Sequence, residues 1–253
     1  MLGRASRRML TLGLFLLAFL LTWCTASATT SDGELPTAEE LLTRSIAYHD
    51  PNGVFLTRSH HLTFAETRAD GSERPALLEV DVGGERFAIE RGGEHVWRAE
   101  LDDTSCTVTF DGRPADAFST EERQEHRLDC DRATMMRNYY VYLWGMPMKL
   151  RDPGTHLGAV EAQIFEDRPV HALRVTYDEA VGTDIWTFYF DRSTAALVGY
   201  RFDRADPSRD GETIIFDGEV EGAGLRLPAS RAWFMNADRR YLGTDTLVAI
   251  EAP

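Results

Sequence analysis

Hydrophobic positions in this chain follow two periods, and the period switches as the chain proceeds. From Thr37 the spacing is helical. Thr37 and Glu40 make a capping box, in which the cap hydroxyl takes one free amide and the glutamate reaches back for another. Leu41, Leu42, Ser45, Ile46 and His49 then recur on one face, and Asp50-Pro51-Asn52-Gly53 stops the helix. From Val54 to Phe110 the period is two. Strands are predicted near 54–65, 76–82, 85–91, 95–101 and 105–110, separated by Asp70-Gly71, Gly83-Gly84, Gly92-Gly93 and Asp102-Asp103. Short strands joined by such turns describe an antiparallel meander.

A helical block interrupts. It opens at Ser119-Thr120-Glu121-Glu122, runs to Trp144 and ends at Gly145 and Pro147. Its second half, from Met135, is apolar around most of its circumference, so it is expected to be buried or to cover something apolar. The period of two then returns, with strands predicted near 159–166, 169–178, 184–191, 196–204, 212–221, 229–237 and 243–251. On 184–191, Trp186, Phe188 and Phe190 share one face, and Ile185 and Tyr189 the other, so that strand is expected to be covered on both sides. No linker separates the meanders. The expectation is a mainly β, α+β protein in which one continuous, curved antiparallel sheet carries helices on its inner face, in a single domain over 37–253.

The first 28 residues belong to another pattern. Arg4, Arg7 and Arg8 precede an apolar run from Met9 to Trp23 and then Ala26-Ser27-Ala28. That is the order of a secretory signal peptide, and the run is short for a membrane span. Cleavage after Ala28 is favoured, with 29–36 as a flexible leader and a periplasmic or secreted product. Lipid attachment at Cys24 is the alternative, disfavoured by the bulk of Trp23. Once Cys24 leaves, Cys106 and Cys130 remain, and an even pair in an exported chain reads as a disulfide, with two buried thiols as the other possibility.

Charge narrows the partners. The formal net charge is −14 and becomes −17 once Arg4, Arg7 and Arg8 are removed with the signal. Such a chain lacks the basic footprint that nucleic acid requires, and it is not drawn electrostatically to an anionic membrane. Lys149 is the only lysine; biased codon usage accounts for the arginine preference, with salt adaptation as the sharper alternative. No phosphate-binding glycine loop or nucleophile elbow is present, the histidines show no chelating spacing, and no metal or cofactor is expected.

The most distinctive stretch is 137–155. Arg137, Tyr139, Tyr140, Trp144, Met146, Met148 and Lys149, with Trp186 and Phe188 on a facing strand, are candidates to line an apolar cavity. Met and aromatic side chains adapt to flexible apolar ligands, and Arg137 or Lys149 would meet a carboxylate or phosphate head group. The alternative is ordinary core followed by a helix end, with Lys149 paired to Asp152. His49, Asp50, Asp152 and His156 form a second, polar candidate set. Their convergence in one cleft would indicate a hydrolase.

Residues 47–51, 137–155, 181–191 and 211–228 together resemble a family of uncharacterised secreted bacterial proteins. The strand grammar in turn resembles the periplasmic and outer-membrane lipoprotein-carrier superfamily. An aromatic strand ends at Asp191 before a turn bearing Thr194, and a later strand carries Gly224-x-x-Leu227-Pro228. The resemblance implies that the sheet forms an unclosed barrel wrapped around the N-terminal helix and the central helical segment, with an apolar cavity for acyl chains, and no catalytic residues. The leading expectation is an exported, non-enzymatic protein that holds a lipid, acyl chain or other apolar ligand between sheet and helices, with a protein partner in the cell envelope as a further possibility. An envelope interaction module with a packed core comes second and a hydrolase third.

Overall fold

Two antiparallel meanders join through their first and last strands into one sheet. The structure, a computed structural model, describes residues 34–253. The signal peptide with Cys24 and Ala28, and most of the leader, lie outside the described residues.

Helix α1, Ala38–His49, starts at the capping box of Thr37 and Glu40. The first meander comprises β1 (Ser59–Arg68), β2 (Glu73–Asp81), β3 (Arg86–Arg91), β4 (Trp97–Leu101), β5 (Cys106–Phe110) and the two-residue β6 (Arg113–Pro114). A helical insert follows: a 3-10 turn, Ala115–Ala117, then α2 (Thr120–His126), α3 (Cys130–Trp144) and a second 3-10 turn, Met148–Arg151. The second meander runs through β7 (Thr155–Phe165), β8 (Arg168–Tyr177), β9 (Ile185–Asp191), β10 (Leu197–Asp203), β11 (Glu212–Gly222), β12 (Leu225–Met235) and β13 (Tyr241–Glu251).

The sheet has 13 strands in the order β6-β5-β4-β3-β2-β1-β13-β12-β11-β10-β9-β8-β7. Its two edges, β6 and β7, are the strands that flank the helical insert in sequence. The barrel therefore stays unclosed where the chain leaves the sheet to build its filling. Pairing of β1 with β13, His61 opposite Glu251 through Arg68 opposite Gly243, joins the halves.

α3 and the turn after it belong to both halves of the core. Tyr140, Trp144 and Met148 pack with Leu62, Phe64, Leu78 and Ile89 of the first meander. Leu143, Met146 and Leu150 pack with Leu173, Phe188, Tyr200 and Ile214 of the second, together with Leu41 and Leu42 of α1. Gly145, which ends α3, sits where a Cβ would strike Val141 O, Phe55 and Lys149. β9 is covered on both faces, as its pattern predicts. Phe188 and Phe190 enter the core, and on the other face Tyr189 stacks on Phe165 with ring centroids 4.0 Å apart.

Several boundaries differ from the sequence reading; β12, for one, starts at Leu225, four residues before its predicted start, and three further differences have a local cause. Residues 54–58 form turns instead of the start of β1, because the Asp50 carboxylate accepts the amides of Val54 (2.7 Å) and Phe55 (3.0 Å) and wraps the chain. The predicted block 119–144 is two helices. Ser119 with Glu122 caps α2, Arg127 takes a left-handed conformation (φ 52°), and Asp129 caps α3 through the amide of Arg132. β7 starts at Thr155, four residues before its predicted start, and a register shift between Leu157 and Val160 breaks its alternation. Cys106 and Cys130 are joined by a disulfide, with Cα atoms 6.1 Å apart, tying the start of α3 to β5.

Candidate ligand cleft

α3 leaves one flank uncovered, and there the sheet and helix enclose an open cleft of about 1210 Å³. Its aromatic lining comes from both elements: Tyr139 and Tyr142 of α3, Tyr177 of β8, Trp186 of β9, Phe202 of β10 and Trp233 of β12. These aromatics touch one another. Tyr139 stacks on Trp233 with centroids 6.2 Å apart, Trp186 lies 4.8 Å from Phe202, and the Tyr142 and Tyr177 hydroxyls are hydrogen-bonded. Charged residues stand around them: Arg86 from the β2–β3 hairpin, Arg137 from α3, Lys149 with Asp152, and Arg204 with Asp184. The loop 178–184 supplies Val181, which is 58% exposed.

Four of the nine predicted lining residues face this cleft: Arg137, Tyr139, Lys149 and Trp186. Lys149 is ion-paired with Asp152, as the alternative reading of that segment describes. Tyr140, Trp144, Met146, Met148 and Phe188 are instead buried in the core. Sequence periodicity could not separate these sets, because α3 is apolar on most sides and only the sheet determines which side is left open. Phe202, Tyr142 and Trp233 were missed as lining residues, although Phe202 and Trp233 carry the inward phase of their strands.

The polar candidate set divides. His49 is buried with both ring nitrogens engaged: the Leu197 amide donates to Nε2 (2.9 Å), which makes Nδ1 the protonated nitrogen, donating to the Arg226 carbonyl (2.6 Å). Burial pushes its pKa down to about 4. Asp50 serves the backbone of residues 54 and 55, Asp152 pairs with Lys149, and His156 pairs with Asp178 at 2.7 Å. No hydrogen bond or ion pair joins His49 or Asp50 to Asp152 or His156 among the described residues. Among the described residues, no group of three or more His, Cys, Asp or Glu is arranged to hold a metal ion.

Behind the cleft runs a row of charges that sequence reasoning missed. Arg74, Glu66, Asp245 and Arg231 occupy register-matched positions on four adjacent strands, β2, β1, β13 and β12. Their signal was present: Glu66 is in phase with the inward Leu62 and Phe64, Asp245 with Leu247, and Arg231 with Leu227 and Trp233. Glu66 is held by Arg74 and Arg91 and accepts the Tyr140 hydroxyl. Burial raises the Glu66 pKa, and Arg91, Tyr140 and Arg74 outweigh that and hold it below the usual range. Burial pushes Asp245 up to about 6, aided by the Glu66 charge. Arg231 is 1% exposed and its guanidinium carbon lies 3.5 Å from the Trp144 ring centre.

A curved, unclosed antiparallel sheet with a helix laid across its inner face defines the class: this is a LolA-like fold. The structure is similar to a LolA superfamily protein from Nitrosomonas europaea, at 10% identity and a TM-score of 0.51, over 87% of this chain and 94% of that one. It also matches a domain named for outer membrane lipoprotein sorting from Vibrio parahaemolyticus (10% identity, TM-score 0.46, 84% and 92% covered). A DUF1329 family protein from Desulfovibrio piger matches too (8% identity, TM-score 0.48, 85% and 91% covered). A comparison with curated proteins found no match. Residues 14–250 match a family of unknown function, DUF6503, and the chain belongs to that family.

Proposed function

We propose that this protein is a non-enzymatic binding protein of the bacterial cell envelope that holds an acyl chain or another apolar ligand between α3 and the sheet. The observation that carries this reading is the cleft: about 1210 Å³, floored by Tyr139, Tyr142, Trp186, Phe202 and Trp233, with charges at the rim. Ligand pockets are concave, mostly apolar and edged by a few placed polar groups. The chain would lie against the aromatic floor, and Arg137 and Lys149 would meet polar groups at the mouth. A LolA-like fold supports the reading by analogy of architecture. Export with cleavage after Ala28 completes it, and the N-terminal mass of the envelope form tests that step.

Native mass spectrometry of the mature protein, with titration of a fluorescent fatty-acyl probe, tests the binding. Expected are a co-purified lipid-sized mass or saturable probe binding, weakened about tenfold in Trp186→Ala, which deletes a large apolar contact. A bare mass together with no probe binding overturns the proposal. A packed interaction module is the second reading, favoured by the burial of Tyr140, Trp144, Met146, Met148 and Phe188 in the core. It predicts a protein captured on the cleft face and no lipid.

A further inference from the structure

With Arg91 of β3, which reaches Glu66 from outside the register row, the charges behind the cleft are not balanced. Three arginines, Arg74, Arg91 and Arg231, serve two carboxylates, Glu66 and Asp245. Glu66 is shared between Arg74 and Arg91, and Arg231 forms no ion pair among the described residues. Its Nε and Nη1 have no hydrogen-bond partner, and neither does the hydroxyl of the fully buried Tyr200. Both side chains pack on Phe216, the Arg231 guanidinium carbon 5.2 Å from its ring centre and the Tyr200 ring at 5.3 Å. Buried donors are nearly always satisfied, so a cluster of orphans in the middle of a core needs a reason. The Trp144 face offsets part of the cost of the buried cation but accepts none of its hydrogen bonds.

The cluster adjoins the cleft. Trp233, two residues beyond Arg231 on the same face of β12, lines the cleft and stacks with Tyr139, which is 44% exposed. Tyr200 lies against Trp233 on the inner side, with centroids 6.5 Å apart.

We infer that Arg231 and Tyr200 form the subsite for an oxyanion, the carboxylate or phosphate end of an anionic amphiphile whose chain occupies the cleft. This rests on the cleft-binding reading above and deepens it: the ligand is anionic, and its charged end is taken in the interior by Arg231 instead of at the rim by Arg137 and Lys149. Guanidinium fits both oxyanions, because its parallel N–H groups match two oxygens. An anion there also cancels the excess positive charge behind the cleft.

The test compares dodecanoate, dodecyl phosphate and uncharged 1-dodecanol, by displacement of a fluorescent acyl probe from the mature protein. In the wild type one or both anions bind about 10- to 100-fold more tightly than the alcohol, the range of charge-assisted hydrogen bonds, and the two anions tell a carboxylate from a phosphate source. Arg231→Met keeps the apolar contacts with Phe216 and Trp144. It should bind the alcohol as before, lose the anion preference and melt no lower than the wild type without ligand, since it removes an unpaired buried charge. Tyr200→Phe, the milder change, should lower anion affinity about tenfold and leave the alcohol unaffected. An anion preference that survives both variants, or that disappears only in Arg137→Ala or Lys149→Ala, overturns the inference. So does an Arg231→Met protein that is destabilised, because Arg231 is then structural. Equal binding of alcohol and anions by the wild type overturns it while leaving the cleft reading intact; failure of all three to bind overturns both.

Discussion

His49 shows how one side chain can couple a helix end to two strands. Its Nδ1–H reaches the carbonyl of Arg226 in β12, and its Nε2 receives the amide of Leu197 in β10. Burial, with the charges of Arg231 and Arg226 nearby, holds the ring neutral at a pKa near 4 against an ordinary 6.5, and a proton on Nε2 would also face the Leu197 N–H. Between those values the unfolded chain binds the proton and the folded chain does not. The contribution is therefore complete above pH 6.5 and is lost as pH falls toward 4, by about 3 kcal/mol for a shift of this size. Asp245 acts in the opposite sense. Its pKa rises from 3.8 to about 6, so its contribution is complete below pH 3.8 and is lost as pH rises through 6. The two offset each other in the wild type. His49→Gln, whose amide can keep both hydrogen bonds without titrating, should remove the His49 share, so that on acidification from pH 6.5 to 4.5 its urea midpoint shifts upward relative to the wild type. A variant whose midpoint follows the wild-type pH dependence would refute the assignment. His49 was legible in the sequence as a helix-end residue, but its partners, 148 and 177 residues away, were not.

At the scale of elements, α3 is the part that decides the molecule. It joins both halves of the core, and its outward residues make one wall of the cleft. The disulfide fixes its first residue to β5, closing a loop with a sequence separation of 24. Chain entropy assigns such a crosslink about 3 kcal/mol. Reduction, or replacement of Cys106 and Cys130 by alanine, should lower the unfolding free energy by about that amount in denaturant titration; unchanged stability would mean that α3 is held by packing alone. Helix and strand identities here were readable from period, and the caps at Thr37 and Ser119 stood in the sequence. The break at Arg127 was not, since nothing in residues 119–144 forbids one continuous helix. The division is made by the left-handed Arg127 and the Asp129 cap, with Cys130 tied to β5 directly after them.

At the scale of the whole molecule, the acidic excess meets a surface on which many arginines of the described residues are already paired, Arg98 with Glu79, Glu90 and Glu100 among them. Paired charges cancel, and the unpaired excess repels itself. Added salt screens that repulsion, so the melting temperature should rise between 10 mM and 1 M sodium chloride, with a flat response removing self-repulsion as a factor. On the inner face of the sheet, Arg74, Glu66, Asp245 and Arg231 alternate in sign along one row across β2, β1, β13 and β12, and Arg91 of β3 reaches Glu66 from beside it. The sequence by itself determined most of the elements, their antiparallel order and one continuous curved sheet, because period, turns and caps are local and leave few ways to bury so many half-apolar strands. Only the tertiary structure decided which side of α3 stays open and that β13 pairs with β1. Only there do Glu66, Asp245 and Arg231 come side by side. Those outcomes depend on register between residues far apart in the chain, where a polar residue in an inward phase has no meaning until its neighbours across the strands are known.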